Sequence, residues 1–186
     1  MTDTMYTRYP LVSIFTYNAI TVLHFLLGGT GFVLGYGYWA GWALGIAYTV
    51  FAFTEMYLVM PLKVCPNCVY FRLDKSICIS GLNLLSRRIA CSGAVSDFPR
   101  RSQGPLCPDN LYLASLVLPI LGIIPALFIG FSWTVLIILV LLIALLLFRF
   151  FIVFPRIACN HCRAKHICPN ALKMGLGGNQ VIDQAL

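Results

Sequence analysis

The sequence predicts an all-α integral membrane protein, with four transmembrane helices paired as two parallel-repeat hairpins and a cytoplasmic, cysteine-rich, metal-binding cap. Three observations carry that expectation. Of 186 residues, 60% are hydrophobic and only 10% are charged, well below the roughly one quarter charged that soluble domains carry. The apolar residues gather into four runs, 11–34, 39–60, 111–129 and 133–154, each near the ~20 residues that cross a ~30 Å hydrocarbon core. Finally, the device Pro-x3-Cys-x2-Cys occurs twice, as "PLKVCPNC" and "PRIACNHC", directly after the second and fourth runs.

These runs divide the chain into a first segment and hairpin (1–60), a polar cysteine-rich loop (61–110), a second hairpin (111–154) and a cysteine-rich tail (155–186). The first run is too long for the apolar region of a cleaved signal peptide and lacks a small-residue cleavage site after it. Gly41 and Gly45 form a small-xxx-small step in the second run, which lets helices approach closely. Pro119 and Pro125 should bend the third by removing backbone donors. The fourth run is aliphatic until Arg149, so it reads as a lipid-facing anchor whose arginine snorkels to the headgroups.

The net charge of +7 does not point to nucleic acid, because of where the charges lie. Lys63, Arg72, Lys75, Arg87, Arg88, Arg100 and Arg101 fall between the second and third runs, and Arg149, Arg156, Arg163, Lys165 and Lys173 fall at or after the end of the fourth. The connections at 35–38 and 130–132 carry no charge. Basic residues concentrate on the cytoplasmic side of membrane proteins. Both termini and the cysteine-rich segments are therefore expected in the cytoplasm, against the lipid bilayer of the cytoplasmic membrane.

That topology sets the cysteine chemistry. Cys65, Cys68, Cys78, Cys91 and Cys107 lie in the loop, and Cys159, Cys162 and Cys168 in the tail, all on the reducing side, where paired thiols bind metal more often than they form disulfides. A parallel repeat would bring the two C-x-x-C turns side by side. Cys65, Cys68, Cys159 and Cys162 would then supply the four ligands of a tetrahedral zinc site. Cys78, Cys91, Cys107 and Cys168 would close a second site, or each repeat would own one. Zinc is the first expectation and an iron–sulfur cluster the second, since clusters also take four cysteines. His161 and His166 are further ligand candidates.

Within the membrane, Glu55 and His24 stand out as ionisable groups, which are functional candidates by default in spans, and Asn18 as a polar neighbour. Counted from the span ends, Asn18 lies at the depth of Glu55, so Asn18 or Tyr17 is expected to hydrogen-bond it. One intramembrane histidine excludes a bis-histidine haem from this chain alone, and no C-x-x-C-H provides covalent haem attachment. Phosphate loops, dinucleotide fingerprints, zinc-protease helices and serine-nucleophile motifs are missing from the sequence, so no catalytic residue is assigned.

Three functions follow. The first is a membrane-anchored subunit with a cysteine-ligated metal that docks a protein partner or a second copy of itself. The second is a membrane thiol–disulfide oxidoreductase using a C-x-x-C pair. The third is a soft-metal transporter passing cations from its thiols to Glu55 and His24.

Overall fold

A computed structural model describes residues 5–176, the Arg101 side chain excepted. The ends of the chain, including the 177–186 part of the tail, lie outside the described residues. The architecture is helical, with no strand among the described residues beyond two isolated bridges. Four helices are long and apolar enough to cross a membrane: Leu11–Tyr36, Tyr38–Asn67, Pro108–Ile129 and Trp133–Cys159.

We label the α-helices α1 (Leu11–Tyr36), α2 (Tyr38–Thr54), α3 (Val69–Arg72), α4 (Leu82–Ile89), α5 (Pro108–Ile129), α6 (Trp133–Phe148) and α7 (Pro169–Lys173). The second and fourth spans are longer than their apolar runs, because neither stops at its proline. Each passes into a π-helical stretch, Glu55–Val64 after α2 and Arg149–Cys159 after α6, with Pro61 and Pro155 inside. Proline has no N–H to give, and its ring crowds the carbonyl four residues back. Widening the turn to an i→i+5 pattern accommodates both defects. The helix is thus delivered to the cysteines instead of ending short of them.

The hairpins close tightly at the other end. Gly37 turns the chain between α1 and α2 at φ 59°, a left-handed conformation natural to glycine. Tyr38, Trp39, Trp42, Phe131 and Trp133 are exposed around the two connections, as aromatic side chains are where a bundle meets the membrane interface.

The helix contacts rest on small residues. A Cβ placed on Gly41 would sit 2.6 Å from the Val33 carbonyl oxygen, and one on Gly45 would sit 2.8 Å from the Gly29 carbonyl oxygen. The predicted small-xxx-small step is therefore where α1 and α2 touch, backbone to backbone. Neither carbonyl can move without moving its helix, so Gly41→Ala is expected to force the hairpin apart. The expected loss is about 1–3 kcal/mol, the usual cost of overpacking, read as a lowered unfolding midpoint in mixed micelles. On another side of α1, Gly28 and Gly35 leave room for Pro119 and Ala126 of α5.

Three polar residues of the first hairpin donate to carbonyls of α5. Pro119 leaves the Ser115 carbonyl without its helical donor, and the Tyr48 hydroxyl donates to it at 2.9 Å. His24 Nε2 donates to the neighbouring Leu116 carbonyl at 2.9 Å, and the Tyr36 hydroxyl donates to the Gly122 carbonyl beside Pro125 at 2.7 Å. Lipid offers no water to such groups, so neighbouring helices must satisfy them. His24, buried to 2% exposure, is thereby occupied as a structural donor.

α6 packs Val135, Ile138, Leu139 and Leu142 against Ile123 of α5, while Ile137, Val140 and Leu147 stay exposed. α6 thus buries one face and leaves the other exposed, and the sequence expectation fails at its end. Arg149 does not snorkel; it is 1% exposed.

Candidate metal-binding and membrane-interior site

Both C-x-x-C turns close in the same way. The Cys68 N–H donates to the Cys65 carbonyl at 3.0 Å, and the Cys162 N–H donates to the Cys159 carbonyl at 3.2 Å. Each first cysteine stands ten residues after the start of its π-helical stretch and four after its proline. The residues that begin the two stretches are Glu55 and Arg149. Both are buried, one an acid and the other a base.

Local hydrogen bonds hold the first turn. Cys65 N–H donates five residues back to the Met60 carbonyl, and Pro66 has no donor, so the Pro61 carbonyl needs a partner from elsewhere. The Ser86 hydroxyl of α4 supplies it at 2.6 Å. Arg87 then gathers the end of α3, donating to the Phe71 carbonyl at 2.9 Å, the Tyr70 carbonyl at 2.8 Å and the Leu73 carbonyl. Cationic donors on the last carbonyls of a helix offset its dipole as well as its orphan acceptors. Asn83 completes the loop, donating to Ser76 at 2.9 Å and accepting the Cys78 N–H at 3.0 Å.

The N-terminal segment joins the two cysteine regions, which the sequence did not foretell. Tyr6 N–H donates to the His161 carbonyl at 3.0 Å, and Tyr9 N–H donates to the Ile77 carbonyl at 3.0 Å. The Tyr6 ring stacks on His161 with centroids 4.6 Å apart. The Tyr70 hydroxyl donates to the Tyr6 carbonyl at 2.6 Å and accepts from the Arg163 N–H at 3.4 Å. Val64, Phe98 and Ala164 pack behind the thiols, with Cys68, Cys162 and Cys168 against them.

The result is one cavity of about 200 Å³ lined by Cys65, Cys68, Cys78, Cys159, Cys162 and Cys168. Six of the eight cysteines, drawn from both halves of the chain, thus share a single space. The other two do not join them. Cys91 is exposed, and Cys107 is a buried N-cap whose sulfur accepts the Asn110 N–H of α5 at 3.4 Å. The expected second foursome of Cys78, Cys91, Cys107 and Cys168 is therefore not brought together, because two of its members belong to the first cavity. As the side chains stand, no group of three or more His, Cys, Asp or Glu among the described residues is arranged to hold a metal ion.

Negative charge is disfavoured in this space. Burial, then neighbouring Cys68, pushes the Cys162 thiol well above its usual range, with Cys168 and Cys159 adding to the effect. Burial also raises Tyr9 and Tyr70, and Cys162 is the leading charged neighbour of both. Each group is more easily neutral than ionised here, in keeping with desolvation of the charged form.

Past the thiols the cavity reaches Tyr17, Met56, Met60, Tyr112 and Phe154. Behind these lies Arg149, which donates to the Tyr112 hydroxyl and to Thr21 Oγ1. Its guanidinium carbon is 5.3 Å from the Tyr17 ring centroid, 5.8 Å from that of Tyr112 and 6.0 Å from that of Phe154. Hydroxyls and ring faces thus surround a cation within the bundle, each ring contributing an attraction of the cation–π kind. The sequence showed an arginine near a helix end; it could not show that α1 and α5 converge on it.

The expected Glu55–Asn18 pair does not form. Asn18 donates to the Ile14 and Ser80 carbonyls at 2.8 and 3.2 Å and accepts from the Tyr57 hydroxyl at 3.4 Å. Residues two apart on a helix point to nearly opposite sides, so with Tyr57 facing Asn18, Glu55 faces away. Tyr17 is also engaged elsewhere, with Tyr112. Glu55 is 3% exposed, and its Oε1 has no hydrogen-bond partner among the described residues. Compared with protein-family models, curated proteins and solved structures, the chain finds no match.

Proposed function

We propose that this protein holds a metal on cysteine thiolates where its helices leave the membrane, and serves there as the anchored subunit of a larger assembly. Zinc is the first candidate and an iron–sulfur cluster the second. The observation that carries the reading is the convergence of six thiols from two separate chain segments on one cavity. A single C-x-x-C supplies only two ligands, whereas a tetrahedral site needs four. Cys65, Cys68, Cys159 and Cys162 supply that number, with Cys78 and Cys168 beside them. Closing the site requires the sulfur atoms to move inward around the ion, as happens where metal binding and local folding are coupled.

The parallel repeat belongs to the same proposal. Its support is the shared order of a buried charged residue, a π-helical stretch, a proline and a C-x-x-C turn, at equal spacing in both halves. We place the thiols and both termini in the cytoplasm, on the distribution of Lys and Arg. The two rival readings find less support. A thiol–disulfide exchange centre uses one C-x-x-C pair, whereas six thiols meet in this cavity. A transport path past His24 meets a side chain already committed to a carbonyl, and Glu55 is not among the residues lining the cavity.

The test is the metal content and optical spectrum of the whole protein purified without oxygen. Colourless protein with about one zinc per chain supports a structural cap, the usual role of a closed four-cysteine zinc site. Brown protein with iron and acid-labile sulfide supports electron transfer. Protein that holds neither, before or after reconstitution, refutes the proposal.

A further inference from the structure

We infer that the inner end of the cysteine cavity binds a neutral, largely apolar ring carrying a hydrogen-bond-accepting carbonyl, a ligand of the quinone class. The first ground is position. Tyr17, Met56, Met60, Tyr112 and Phe154 line this end, and all belong to helices that are long and apolar enough to cross a membrane. A ligand reaching it from the lipid must itself be lipid-soluble.

The second ground is a count of protons. The Tyr17 and Tyr112 hydroxyls lie 3.3 Å apart, and only one of them donates to the other. Arg149 also donates to the Tyr112 oxygen, so that contact absorbs no phenolic proton. One of the two O–H groups is therefore left without an acceptor among the described residues, on a wall of the cavity. A buried hydroxyl without its bond is costly, and a carbonyl oxygen inside the cavity completes it. The guanidinium behind Tyr112 polarises the phenol, which strengthens its donation along the chain of hydrogen bonds.

The third ground separates a carbonyl from an anion. A phosphate would seek the guanidinium itself, but Arg149 is 1% exposed and does not line the cavity. What faces the ligand is two phenols, two methionines and the Phe154 ring, which suit a neutral planar head. The whole cavity, thiol end included, is about 200 Å³, so its inner end takes no more than a single ring. This inference concerns the end of the cavity away from the thiols and stands whether or not they hold a metal.

The experiment uses the full chain in nanodiscs of quinone-free synthetic lecithin, with an azido-ubiquinone of short chain as photolabel and decylubiquinone as competitor. Saturable labelling is expected in peptides containing Tyr17, Met60 or Tyr112, and the competitor should displace it. The Tyr17→Phe/Tyr112→Phe double variant keeps both rings and should weaken binding about tenfold, the effect of one lost hydrogen bond. Because that variant also removes an acceptor from Arg149, Met60→Trp provides a second test. It fills the cavity, leaves the Arg149 bonds in place and should abolish saturable labelling. Three results would overturn the inference: labelling that rises linearly with probe, displacement by phosphatidic acid but not by decylubiquinone, or parental affinity in Met60→Trp. Metal content measured on the same samples keeps this outcome separate from that of the metal proposal.

Discussion

Arg149→Ala is expected to lower stability by on the order of 3 kcal/mol, the scale of large-to-small changes in packed interiors. Arg149→Met is expected to stay within about 1 kcal/mol of the parent. The contrast follows from the surroundings of the guanidinium. Its contacts are the Tyr112 hydroxyl, Thr21 Oγ1 and the rings of Tyr17, Tyr112 and Phe154. None of these is orphaned when the cation goes. Thr21 still donates to the Tyr17 carbonyl at 2.7 Å, and the two phenols still bond each other. Alanine leaves a void where the long stem packed, whereas methionine refills most of it and removes the cost of burying a charge that has no counter-ion among the described residues. Unfolding in mixed micelles measures both. If Arg149→Met is as damaged as Arg149→Ala, the hydrogen bonds, rather than the volume, hold this junction.

Cys65→Ser and Cys159→Ser, made singly, are expected to lose the same metal. The two residues are far apart in sequence yet line one cavity, and a tetrahedral site reduced to three thiolates is greatly weakened. Cys91→Ser should retain full metal content, because Cys91 is exposed and outside that cavity. The Cys91 variant thus serves as the internal control for the loss of a thiol. Metal analysis of the three purified variants decides between a shared site and two separate ones. Retention by Cys159→Ser with loss in Cys65→Ser would mean that the repeats bind independently.

Much of this arrangement was legible in the residues, and the rest was hidden for identifiable reasons. Apolar run length marked the four spans, and the Gly41/Gly45 spacing marked a close helix contact, whose partner the structure identifies as α1. Where the second and fourth spans end was misread. Pro61 and Pro155 look like stops, but a π-helical turn absorbs a proline that an α-helical turn would not. The roles of His24, Tyr36 and Tyr48 depend on carbonyls of a different helix, one of them freed by Pro119, so no local pattern could disclose them. Asn18 and Glu55 agree in depth, but depth leaves the rotation of each helix undetermined, and Tyr57 took the place expected for Glu55. The strap formed by Tyr6 and Tyr9 had no periodic signal at all. The C-x-x-C turns were the clearest sign, yet their spacing could not tell which other thiols would join them. Cys78 and Cys168 do, while Cys91 and Cys107 do not.

The central claim is that cysteines from both halves of the chain surround one metal. X-ray absorption at the metal edge of the anaerobically purified full-length protein tests it most directly, because the ligand shell reports element and number together. Four sulfur neighbours per metal are expected, at about 2.3 Å if the ion is zinc. A shell of two sulfurs completed by nitrogen or oxygen would contradict it, since each C-x-x-C turn would then be binding alone.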